Sequence, residues 1–425
     1  MRHLIAGLTL ILLASACTGT GETPSTISTA EPASPLEGQV VDFQPSEGVV
    51  REEPDPDAPV DDLVAGINGA GFELWREQSG TDNLVFSPLS IGHAVLMARA
   101  AADQETVDRI DTAFGFPDGL AAHEAWNALD RAMAGSAEAE DEIVLSIADR
   151  IWPRLDVTPD QDWVDLLVAQ HDVSVEGLDY VADPDGARDI INRWVAEQTA
   201  DLIPELLPED FLNPRTLLVL TDAVYFEARW QRVFGKYGPV EGEFTRLDGS
   251  TVPVSYMQEL ELGDRRGSGE GFVGAEIPYI GGDYSMLVLV PDEGRFQEIR
   301  DGLNHDFLAE VDAAFTTGPY ELLVPQWETD TQIDLIDWLT ELGAAPGRYP
   351  AIDPAAELAG AVHGADIAVD EEGTVAAAAT ALGFEESGAP QSELTVRADR
   401  PFLYVIRHRP TGAVLFAGQV TDPAS

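Results

Sequence analysis

Seven histidines, one cysteine and a large surplus of carboxylates are the groups from which this chain could build chemistry. The histidines, at 3, 93, 123, 171, 305, 363 and 408, are scattered, and no two stand at metal-ligand spacing along the chain. No G-x-S-x-G elbow, H-E-x-x-H helix or glycine-rich phosphate loop occurs. The run Asp183-Pro184-Asp185-Gly186 has calcium-turn composition, but it precedes a helical pattern and is better read as an acidic turn capping that helix. These residues predict neither an enzyme nor a metal site, and no cofactor is called for. With Cys17 the only cysteine, an intramolecular disulfide is excluded.

The stretch that suggests another kind of activity is VDEEGTVAAAATALGFEESGAPQSEL, residues 369–394. Four alanines follow closely on Glu371, Glu372 and Gly373, and the segment then passes into glycine, proline and acids. Alanine favours helix, yet nothing here marks a face that a helix could bury, and an isolated helix of this length is marginal in water.

The elements around it define a large body. At 425 residues and 44% hydrophobic content the chain can bury an extensive core. Its formal charge of -52, from 76 acids against 24 basic residues with Lys236 the single lysine, repels phosphate backbones and anionic lipid headgroups, so nucleic acid is not a partner. Arg2 and His3, an apolar run from Leu4 to Leu13 and small residues ending at Cys17 read as a secretory signal over residues 1–16. The segment LLASAC resembles the lipobox of bacterial lipoproteins, with Ala14 in place of the usual leucine. That resemblance implies a lipid-bearing Cys17, a chain held to the outer face of the cell membrane through that lipid only, and otherwise a secreted one. Residues 17–60, rich in Ser, Thr, Pro and acids, read as a disordered linker, and residues 61–425 as one domain without a second linker or internal repeat.

Within that domain helical spacing marks 87–102, 160–171 and 186–199, and a capping-box spacing from Thr331 predicts a helix over 331–343. Strand patterns mark 216–226, 274–280, 284–292, 320–328, 402–410 and 412–420, the last two joined by a turn at Arg409-Pro-Thr-Gly. Helices come mostly first and strands mostly later, which predicts an α+β fold with antiparallel or mixed sheets.

Seven segments, in order and at matching intervals, resemble the serpin family of serine protease inhibitors: NLVFSPLSI (83–91), INRWVAEQT (191–199), LVLTDAVYFEARW (218–230), EIPYIGGDYSMLVLVPD (276–292), DEEGTVAAAAT (370–380), ADRPFLYVIR (398–407) and GAVLFAGQV (412–420). The resemblance implies three β-sheets, eight or nine helices and an exposed reactive loop near the carboxyl end. It also implies a monomeric suicide inhibitor of serine, or cysteine, endopeptidases, not an enzyme.

On that resemblance the segment Glu371, Glu372, Gly373, Thr374, Val375, Ala376, Ala377, Ala378, Ala379 and Thr380 is the hinge of a loop that enters the central sheet as a new strand once a protease cuts it. Every second residue of such a strand points into the core. Here that set is Thr374, Ala376, Ala378 and Thr380, all small, whereas bulky or charged residues would be overpacked or buried unpaired. Gly373 would allow the backbone to change direction. The family spacing, seventeen residues on from Glu371 inclusive, puts the scissile bond at Ser387-Gly388. Counting back from Arg400-Pro-Phe lands near Pro390, and Glu386 and Phe384 are alternative cleavage positions. The targets implied are proteases of small-residue, glutamate or aromatic specificity, since no lysine or arginine lies between 371 and 396. Ser87, Ser90, His363 and Trp230 match the positions that control sheet opening in the family. Asp222 stands where asparagine is usual, which would tie opening to the charge of His363. The segment 121–135 lacks a basic cluster, so no glycosaminoglycan is expected as a partner. The rival is a non-inhibitory member acting as a cell-surface binding protein or chaperone, for which the small hinge residues speak poorly.

Overall fold

A computed structural model describes residues 40–424, with the exception of 79, 141, 148–149, 222, 235–237, 263, 359 and 375–393. Among the described residues the α-helices are α1 (Val60–Glu77), α2 (Pro88–Ala101), α3 (Gln104–Phe114), α4 (Ala121–Glu138), α5 (Gln161–Leu166), which a π-helical turn (Leu167–His171) continues, α6 (Pro184–Gln198), α7 (Phe296–Gly302), α8 (His305–Ala314) and α9 (Ile336–Glu341). Local chemistry accounts for their starts. The Ser87 side chain accepts the Ser90 N–H, and Pro88 occupies the first turn of α2, where a missing N–H costs nothing. The Asp183 carboxylate accepts the Gly186 N–H at 2.9 Å, so Asp183-Pro-Asp-Gly caps α6. Nearly all of α2 is buried, which is why its apolar residues do not confine themselves to one stripe.

One expected helix is partly strand. β15 (Trp327–Asp334) runs through the first third of 331–343, because its residues pair with β16 (Val362–Val369) along their whole length, and α9 is confined to what remains. Thr331 caps nothing; its hydroxyl accepts the Val85 N–H at 3.1 Å. The register of a half-buried sheet outweighs a local capping signal.

One large sheet comprises two ladders. One runs β1 (Val40–Phe43), β5 (Val175–Leu178), β4 (Arg150–Pro153), β6 (Leu218–Thr221); the other runs β15, β16, β17 (Gly373–Thr374), β7 (Val224–Arg229), β3 (Ile143–Ile147). Ile147 lies opposite Val224 and Arg150 opposite Thr221, a single register in which β4 continues β3 and β6 continues β7. A seven-stranded sheet runs β13 (Thr316–Thr317), β10 (Arg265–Gly269), β11 (Phe272–Pro278), β12 (Tyr284–Pro291), β19 (Phe402–His408), β20 (Ala413–Val420), β2 (Leu84–Phe86). β12, β19 and β20 are buried along their entire lengths, which explains their unbroken apolar runs. A third sheet runs β18 (Thr395–Arg397), β14 (Tyr320–Pro325), β9 (Thr251–Leu262), β8 (Val240–Thr245). The architecture is the expected α+β one.

The packed body begins earlier than residue 61. β1 adds an edge strand to the large sheet through β5, and the Glu52 N–H donates to the Ala169 carbonyl at 2.9 Å. Arg51 bonds the Asn127 side chain at 3.0 Å and forms ion pairs with Asp130 of α4 and with Asp172. Composition suggested a linker here because these contacts are polar and backbone-made, and so leave no apolar periodicity.

Candidate functional site

β16 and β7, the walls of the large sheet, meet directly low down, where Ala223 and Gly364 form a parallel bridge. Higher up they are held apart. After Val369 the chain turns sharply: the Asp370 carboxylate accepts the N–H groups of Glu372 (2.8 Å) and Gly373 (3.1 Å), and the Asp370 N–H donates to the Gly373 carbonyl (3.1 Å). An aspartate that caps its own turn favours such a reversal of the chain. Gly373 and Thr374 then run back between the walls as β17, antiparallel to both, with Thr374 opposite Val369 and Ala228.

Gly373 is required here for a reason other than the one expected. Its φ lies outside the left-handed region, but a Cβ would collide with the Ala228 carbonyl oxygen, so only glycine lets the two backbones approach. The Thr374 side chain points under the sheet and is 1% exposed. Its Oγ1 lies 2.6 Å from the Tyr279 hydroxyl. Burial pushes the Tyr279 phenol well above its ordinary range, so it stays a neutral hydrogen-bonding group. Trp230 stacks on the Tyr279 ring, centroids 4.4 Å apart, and its indole N–H donates to the Asp370 carbonyl at 2.9 Å. The backbone N–H groups of Trp230 and Phe234 donate to the Glu372 and Glu371 carbonyls, each at 2.8 Å, and Gln326 bonds the Glu371 carboxylate.

Of the residues expected to control sheet opening, Trp230 therefore belongs to this upper seat. Ser87, Ser90 and His363 gather lower down: fully buried His363 accepts the Ser87 N–H on Nε2 at 3.0 Å, and the Ser87 hydroxyl accepts the Ser90 N–H at 3.1 Å. Asp222, the hinge residues Val375, Ala376, Ala377, Ala378, Ala379 and Thr380, the cleavage positions Phe384, Glu386, Ser387 and Gly388, and Cys17 lie outside the described residues. Tyr279 and Asp370 were missed from sequence. Both lie inside strongly patterned segments, and no spacing signal reports that two side chains some ninety residues apart share a hydrogen bond.

A second cluster corrects the picture of scattered histidines. His93 Nε2 lies 2.9 Å from His171 Nδ1, and His171 Nε2 lies 2.9 Å from His123 Nδ1. Arg99 approaches His123 Nε2 at 3.4 Å. Arginine can only donate, so each ring's tautomer is set in turn: His123 donates from Nδ1 to His171, and His171 from Nδ1 to His93. Trp126 stacks on His93 at 3.6 Å. Four of the six ring nitrogens are occupied with one another, and no metal-binding group of His, Cys, Asp or Glu occurs among the described residues.

Comparison with known proteins places this geometry. A family model described as Serpin (serine protease inhibitor) matches residues 66–423. An uncharacterized serpin-like protein of Methanosarcina mazei is 26% identical, the match covering 85% of this chain and 88% of that protein. A putative serpin-Z6C of Oryza sativa subsp. japonica is 31% identical over 85% of this chain and 97% of its own length. The native-state crystal structure of tengpin, a thermophilic serpin, shares the fold with a TM-score of 0.78 at 22% identity, covering 90% of this chain and 100% of that one. With a family model matched over most of its length, the chain belongs to the serpin family of serine protease inhibitors.

Proposed function

We propose that this chain is a suicide-substrate inhibitor of serine endopeptidases that traps its target by strand insertion into the large sheet. The observation that carries this reading is β17. The first two residues of the returning segment already occupy a strand position between β16 and β7, with a small side chain turned into the core. A protease serine attacks a loop carbonyl, with Ser387-Gly388 the bond preferred and Glu386 and Phe384 the alternatives. The peptide bond breaks, an ester to the protease forms, and the new amino terminus leaves with a proton. The acylated segment then continues the register that Thr374 begins, carrying the protease with it before water can cleave the ester. Slowing deacylation by ~10⁶ requires about 8 kcal/mol of lost transition-state stabilisation. The native chain is accordingly metastable and kinetically held. The signal at 1–16 and a lipid on Cys17 would place the inhibitor outside the cytoplasm.

The test is incubation of the domain with proteases of small-residue, glutamate and aromatic specificity. An SDS-stable conjugate, with the cut located by mass spectrometry, is expected. Cleavage by every protease without a conjugate would favour a binding or chaperone role.

A further inference from the structure

The outer face of the large sheet carries carboxylates along the slot that β17 enters. Along β16, His363, Ala365, Ile367 and Val369 are buried beneath the sheet, and Asp366 and Ala368 stand on the opposite face, half-buried. Asp330 of β15 lies directly opposite Asp366, and Glu328 follows two residues along on the same face. On the far wall, the same face of β7 carries Tyr225, whose hydroxyl donates to the Glu227 carboxylate at 2.6 Å. Tyr404 lies in the layer beneath, fully buried, its hydroxyl donating to the Leu84 carbonyl. The charges that act on Asp366 are thus Glu328 and Asp330, both negative, and burial together with these neighbours pushes its carboxyl up to about 6.

Position decides what this carboxyl can do. Asp366 sits two residues above Gly364, whose bridge to Ala223 closes the slot, and three below Val369, which already pairs with Thr374. A strand continuing that register would set residue 377, an alanine without a polar group, beside Asp366. The lip of the slot would become sheet interior. A carboxylate losing water there gains no cation and keeps two like charges, whereas the neutral acid loses little.

We propose that Asp366 couples strand entry into the large sheet to uptake of a proton. This rests on the insertion reading given above. The sign follows from the direction of the change: a carboxyl that titrates near 6 before entry titrates higher after it. Entry is favoured at acid pH and loses that advantage as the pH rises through and above this range.

The experiment follows the intact, full-length chain as it converts on standing to a form of raised heat resistance, at about pH 5 and about pH 8. Each sample is returned to neutral pH before melting. Conversion is expected to be about 3- to 10-fold faster at the lower pH, since one further unit of pKa shift is a tenfold change in equilibrium. Asp366→Asn should convert quickly at both pH values. Asp330→Asn, which removes a like charge but keeps Asp366, should move the midpoint towards acid. A pH-indicator dye in weak buffer should register proton uptake during conversion of the wild type. Equal wild-type rates at the two pH values, an Asp366→Asn variant that keeps the wild-type ratio, or conversion without proton uptake would each overturn the proposal. If neither intact nor loop-nicked chain ever gains heat resistance, the insertion reading itself fails, and the proposal with it.

Discussion

The hydroxyls of Tyr279 and Thr374 lie 2.6 Å apart, both buried, and they tie the first inward-facing residue of the returning segment to the layer beneath the sheet. Removing either partner leaves the other buried without it. Tyr279→Phe and Thr374→Val are each expected to lower the stability of the intact chain by about 1–3 kcal/mol. Because they delete the same interaction, the double variant should lose less than the two single losses combined, which denaturant unfolding of the set measures.

Gly373→Ala places a methyl group against the Ala228 carbonyl oxygen. The expected result is an unseated turn at a cost of about 1–3 kcal/mol. Hydrogen exchange should report it locally, with faster exchange of the Trp230 and Phe234 amides that donate to Glu372 and Glu371. Protection elsewhere in β12 and β19 should be unchanged.

The histidine file predicts acid sensitivity with a defined sign. Burial, then neighbouring positive charge, holds His93 and His171 well below the ordinary histidine range, and burial with Arg99 pushes His123 down to about 3. Unfolded histidines take up protons below about pH 6.5 while the file stays neutral. Stability is therefore full above that pH and falls as the pH drops towards the folded values, with a slope of up to about 4 kcal/mol per pH unit for the file. His171→Gln should make the acid limb shallower by about one proton while costing about 1–3 kcal/mol at neutral pH. Melting temperatures between about pH 4 and pH 8 decide it.

Arg51 anchors the segment before α1 to Asp130 and Asn127. Burial raises the Asp130 carboxyl, with Arg51 opposing that rise, so deleting the cation leaves the carboxyl shielded from water without its nearest partner. Arg51→Ala is expected to destabilise the body by about 1–3 kcal/mol. It should also open residues 40–52 to limited proteolysis, with the released fragments identified by mass.

Much of the scaffold was legible in the chain itself. The fully buried, largely apolar β12, β19 and β20 and the capped α2 and α6 follow from residue pattern and cap chemistry, because burial on both faces and a serine or aspartate cap act locally. The helix expected from Thr331 failed where pairing with β16 overruled local propensity. Residues 40–59 read as linker because polar and backbone contacts carry no period.

The α+β fold, the family resemblance and the run of small residues after Gly373 were readable from the chain alone, since these depend on residue type and order. That Tyr279 meets Thr374, that three distant histidines share hydrogen bonds, and that Asp366 faces Asp330 at the lip of the slot emerged from the folded arrangement. Such pairings depend on strand register and layer packing, which bring residues together across separations that no local pattern records.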